Sequence, residues 1–90
     1  MSEKLLSEEE YRRIRWASRR GMLELDLVLQ PFVEHRVRAL DAEGLGRYLR
    51  LLECEDTELF AWFLGKEQPQ DEELTRIVDE IIRFARSTER

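Results

Sequence analysis

Arg19-Arg20-Gly21-Met22-Leu23-Glu24-Leu25-Asp26 gathers the residues best suited to chemistry: two guanidiniums, a glycine and two carboxylates in one short run. An arginine fork can grip a carboxylate through parallel N–H donors, and a glycine lets another backbone come close. A carboxylate placed just beyond could pair with a cation or an amide. The same charges also suit a joint between two helices, because cations favour the end of one dipole and anions the start of the next. Glu24 lies where it could reach back to the Gly21 amide as a capping carboxylate. Arg19, Arg20, Gly21, Met22, Glu24 and Asp26 are therefore candidates for a partner-binding surface, with helix capping as the competing explanation.

Other groups carry less. His35 stands beside Glu34, but no serine or cysteine nucleophile has a supporting constellation, and the helix reads as solvent-facing there. Cys54 follows Leu51-Leu52 and reads as a small buried residue, not a reactive thiol. Gly44-Leu45-Gly46 opens like a dinucleotide-binding loop, yet Leu49 occupies the third glycine position and no strand precedes it. With one cysteine and one histidine, neither a disulfide nor a four-ligand zinc site is available, so no metal and no cofactor is expected. No acid–base–nucleophile set is present, which makes an enzyme the least favoured class.

The 90 residues allow one domain. A charged fraction of 39% is high, but 42% hydrophobic content is too much for a disordered chain. The net charge of -5 argues against nucleic acid as the main partner, although Arg12, Arg13, Arg15, Arg19 and Arg20 cluster tightly. No window approaches the length of a membrane span, and the first residues do not open a signal peptide. These features predict a cytoplasmic chain.

The apolar period is helical throughout, and no strand is readable. Ser7 and Glu10 have the spacing of a capping box. A first helix should run from there to Arg19 and Arg20 in its last turn, stopped by Gly21. Tyr11, Ile14, Ala17 and Ser18 would make its inner face. A second, central helix spans about Met22 to Arg38 with Met22, Leu25, Leu29, Phe32 and Val33 inward, widened by Leu23, Leu27 and Val28. Pro31 removes the bond to the Leu27 carbonyl, predicting a kink and not a break, because the stripe stays in phase. Asp41 caps a third helix, Ala42 to Leu52, with Leu45, Tyr48, Leu49 and Leu52 inward. A fourth runs from Thr57 to Leu64, carrying Leu59, Phe60, Trp62 and Phe63, and Gly65 ends it. A fifth opens at Pro69, Asp71, Glu72 and Glu73, with Leu74, Ile77, Val78, Ile81, Ile82 and Ala85 inward. The expected architecture is all-α, a compact five-helix bundle forming a single domain over 1–90, with 1–6 as a flexible N-terminus.

Arg20-Gly21-Met22-Leu23-Glu24 resembles the Arg-Gly-x-x-Glu signature of the succinate dehydrogenase assembly factors, the SdhE flavinylation family. The likeness takes in Arg15-Trp16-Ala17-Ser18-Arg19-Arg20-Gly21-Met22, Leu25-Asp26, Pro31-Phe32-Val33-Glu34-His35, Leu51-Leu52-Glu53-Cys54-Glu55-Asp56 and Leu59-Phe60-Ala61-Trp62. Ser18 stands where many relatives have Cys, Thr57 where Pro is common, and Ala61 where Asn is frequent. The resemblance implies a non-enzymatic five-helix factor that binds the flavoprotein subunit of succinate dehydrogenase, and in bacteria often of fumarate reductase. It would promote covalent attachment of FAD to a histidine of that subunit. By position, Arg20, Gly21 and Glu24 would meet the flavoprotein, with Arg19, Met22 and Asp26 as neighbours, and the factor is expected to be a monomer. A toxin–antitoxin partner or other generic interaction module is the alternative, and a small nucleic-acid-binding domain using the arginines a more distant one.

Overall fold

The computed structural model describes residues 6–88. Most of the expectation for residues 1–6 falls outside them, but Leu6 is half-buried and packs against the core. The described residues form α1 (Glu8–Ala17), α2 (Leu23–His35), a short 3-10 turn (Val37–Ala39), α3 (Ala42–Leu52), α4 (Asp56–Leu64) and α5 (Glu72–Thr88), with no strand among them.

Local chemistry explains most boundaries. Ser7 and Glu10 close a reciprocal capping box: the Glu10 amide donates to Ser7 Oγ at 3.1 Å, and the Ser7 amide to Glu10 Oε1 at 3.0 Å. Asp41 Oδ1 accepts the Gly44 amide at 2.8 Å to open α3. Asp71 Oδ1 accepts the Glu73 amide at 2.7 Å ahead of α5. Gly65 ends α4 in the left-handed region, φ 81°.

The fourth helix begins at Asp56, one residue before the expected Thr57, and two helix C-terminal ends differ more from the sequence reading. The first helix stops at Ala17 and does not run on through Arg20. Ser18 is its C-cap: its hydroxyl turns back to the Ile14 carbonyl at 2.8 Å and meets the Tyr48 hydroxyl at 2.7 Å, both buried. Since Ser18 spends its one hydroxyl proton on Ile14, Tyr48 O–H donates to Ser18 Oγ. The second helix ends at His35, not Arg38, and the chain tightens into the 3-10 turn. Pro31 sits inside α2 without dividing it.

α2 is central, as its stripe implies. Leu25, Leu29, Phe32 and Val33 are buried, and α5 lies along both α2 and α3. Ile77 and Ile81 of α5, Leu59 and Trp62 of α4, and Tyr48 and Leu51 of α3 complete the interior. Leu51 is fully buried whereas Leu49, expected inside, is exposed. Leu23 and Leu27 do not widen the inner face of α2; they are 67% and 65% exposed. These positions lie on the ridge of α2 away from Leu25, Leu29 and Phe32, and no element among the described residues covers them.

Candidate functional site

The segment between α1 and α2 is held from both sides. The Arg20 amide donates to Asp26 Oδ1 at 2.9 Å, so a carboxylate in the first turn of α2 ties down the backbone before it. The Arg20 guanidinium turns the other way, toward the junction of α3 and α4. Its Nε donates to Asp56 Oδ1 at 2.7 Å, Nη1 to the Leu52 carbonyl at 2.9 Å and Nη2 to the Cys54 carbonyl at 2.8 Å. A weaker contact joins Nη1 to the Ala17 carbonyl at 3.4 Å. The carbonyls at the end of α3 are among those a helix leaves unpaired, and a guanidinium fork satisfies two acceptors there at once. The Arg20 side chain is only 15% exposed and its Asp56 partner 35%, so this ion pair is screened less than a surface one.

Gly21 follows with φ 83°, a conformation in which a side chain is strained. It is exposed, and a Cβ built there would meet nothing within 4 Å. The glycine is therefore required by the backbone and not by crowding within the chain. Met22, half-buried and packed against the core, is the N-cap of α2 and offers no side-chain cap. Glu24 is exposed, and its carboxylate makes no hydrogen bond or ion pair among the described residues. A capping bond from the Gly21 amide to the Glu24 carboxylate is absent there; the carboxylate that reaches back is Asp26, and it accepts the Arg20 amide instead. Arg19 is exposed, with its guanidinium 5.8 Å from the centre of the Trp16 ring.

The six candidates thus share one loop and one helix start but divide by what they touch. Arg20 and Asp26 face inward and fix the loop; Met22 anchors it; Arg19, Gly21 and Glu24 face solvent. Asp56 escaped the sequence reading, although the acidic run after Leu52 was the available signal for a partner to an arginine pair.

The remaining candidates have structural roles. Gly44 is buried at the start of α3, where an added Cβ would lie 3.2 Å from Asp41 Oδ1 and 3.3 Å from Leu40, so close packing accounts for it. His35 is exposed, with its ring 6.1 Å from that of Phe84. Cys54 is half-buried, not fully buried as expected, and its thiol pKa is raised first by burial and then by Glu58. A raised thiol pKa leaves little thiolate at neutral pH.

A small all-α domain with a braced, charge-bearing loop is suited to binding, and comparison with known proteins says which family it falls in. Residues 12–85 match a family described as "Flavinator of succinate dehydrogenase". The protein named FAD assembly factor SdhE of Pseudomonas aeruginosa is 47% identical over 78 residues, covering 87% of this chain and 93% of its own. That of Shewanella oneidensis is 55% identical over 69 residues, covering 77% and 84%. That of Idiomarina loihiensis is 47% identical over 83 residues, covering 92% and 86%. The chain belongs to this family of succinate dehydrogenase flavinators, which are assembly factors and not enzymes. No helix among the described residues is long and apolar enough to cross a membrane.

Proposed function

We propose that this protein binds the flavoprotein subunit of succinate dehydrogenase in the cytoplasm, as a monomer, and promotes covalent attachment of FAD to it. Fumarate reductase, whose flavoprotein also carries FAD, is the second client. The observation that carries this reading is the division of labour around Gly21. Arg20 is consumed in bracing the loop, while Gly21 and Glu24 stand exposed and uncommitted beside it.

In this reading the factor supplies no reacting group. The flavoprotein brings FAD and its own histidine together, and the factor binds the conformation in which they meet better than the alternatives. Only such differential affinity can shift the client's equilibrium. Gly21 lets a client backbone approach, Glu24 pairs with a cation or amide donor of the client, and Arg19 supplies a positive rim. Arg20 and Asp26 act through the loop, presenting it in one shape before binding and so reducing the ordering cost of association.

The test is a pull-down of the flavoprotein, paired with protein-bound flavin fluorescence in denaturing gels. Glu24→Ala and Gly21→Arg are expected to lose client capture and covalent flavin while remaining folded. Full capture and full flavin incorporation by both folded variants would sink the proposal. A toxin–antitoxin or other generic partner would instead leave flavin attachment indifferent to deletion of the whole protein.

A further inference from the structure

Beside the Gly21 loop, α1 and α2 turn an uncovered face to solvent. Trp16 is 71% exposed, and Leu23 and Leu27 stand out on the neighbouring ridge of α2. Gln30 continues that ridge one turn further on, at helical spacing. It lines a cavity of about 170 Å³ together with Arg12, Arg15, Trp16 and Arg19. The Gln30 side-chain nitrogen is enclosed there with no acceptor. An enclosed donor left unpaired is a standing cost that an incoming oxygen would relieve.

The charge on this face is also incompletely matched. Arg12 has no ion pair among the described residues, and the Arg15–Glu34 contact is 3.6 Å long between side chains that are each about half-exposed. In a chain of net charge -5, this is a local concentration of positive charge next to bare apolar side chains. Exposed tryptophan and arginine are the residue types that most often anchor protein interfaces. A nucleic acid fits poorly, because a phosphate backbone would leave Trp16, Leu23 and Leu27 without an apolar partner.

We propose that this face receives an acidic, apolar-tipped segment of the flavoprotein. The apolar residue lies against Trp16, Leu23 and Leu27, the carboxylates meet Arg12 and Arg15, and a carbonyl or carboxylate oxygen accepts from Gln30 Nε2. Trp16 and Arg19 both reach into solvent, so they can turn aside to admit that oxygen without disturbing the core. The proposal rests on the flavoprotein reading above and extends its docking surface from the Gly21 loop along α1.

The test uses the full chain and the flavoprotein subunit without FAD, with affinity measured at low and moderate salt. Trp16→Ala is expected to weaken binding by about tenfold or more, as loss of an interface anchor does. Arg12→Glu should weaken it most at low salt, and Arg83→Glu, at an exposed position of α5, should leave it unchanged. With 5-fluorotryptophan in this chain alone, the Trp16 resonance should move on adding flavoprotein while that of buried Trp62 stays. Wild-type affinity in Trp16→Ala and Arg12→Glu, alongside lost binding in Gly21→Arg, would confine docking to the loop and overturn the extension alone. Failure of the wild-type chain to bind flavoprotein would overturn the underlying reading as well. Binding of a DNA or RNA duplex that Arg12→Glu abolishes, with flavoprotein affinity untouched, would reassign the face.

Discussion

Arg20 and Glu24 flank the same glycine, yet they answer to different forces. Arg20 places its donors on Asp56 and on the carbonyls of Leu52 and Cys54, so truncation strands acceptors and a carboxylate that it now satisfies. Arg20→Ala is expected to lower unfolding stability by about 2–3 kcal/mol, the scale of a lost charge-assisted network. Arg20→Lys should recover less than half of that, since an ammonium cannot reproduce the planar fork. Glu24→Ala, with no partner to strand, should stay within about 0.5 kcal/mol of the parent. Urea unfolding of the three variants measures the contrast, and equal losses from Arg20→Ala and Glu24→Ala would contradict it. The same contrast shows what sequence conveyed at this scale. Residue types and spacing marked the motif, but which charges turn inward depends on Asp56, which the chain brings back only after two more helices.

At the scale of elements, helix number, order and most caps were legible because they rest on local chemistry: Ser7 with Glu10, Asp41 with Gly44, and Gly65. The misread features were those decided by neighbours. The end of α1 falls at Ser18, whose buried hydroxyl meets that of Tyr48 and joins α1 to α3 across a sequence gap no periodicity conveys. Leu23 and Leu27 looked like core by type alone, and their exposure reflects a ridge over which no element packs among the described residues. The burial of Tyr48 in its contact with Ser18 also sets an alkaline limit. Burial pushes the Tyr48 hydroxyl up to about 12 from an ordinary value near 10. Folding therefore favours the neutral phenol: its contribution is complete below pH 10 and is lost as pH rises toward 12. By linkage that amounts to about 3 kcal/mol. Denaturation midpoints between pH 9 and pH 11.5 should fall in the parent and fall less steeply in Tyr48→Phe. A parallel decline in both would assign the loss to other groups.

For the whole molecule, the expected bundle of five helices stands, with α2 threaded through its centre and the candidate surface at the N-terminal end of that helix. Core truncation should therefore be felt everywhere: Leu29→Ala, at a site with no exposure, is expected to cost about 3–4 kcal/mol by opening a cavity, read as a lower urea midpoint. The brace on Arg20 couples the surface to the same cooperative unit, since its partners lie 32, 34 and 36 residues further along the chain. During synthesis, then, the signature leaves the ribosome long before the groups that shape it. A nascent chain halted ahead of Asp56 would carry every letter of the motif and still lack the carboxylate that braces it, so under the proposed function recognition by the client would report that synthesis has passed α3.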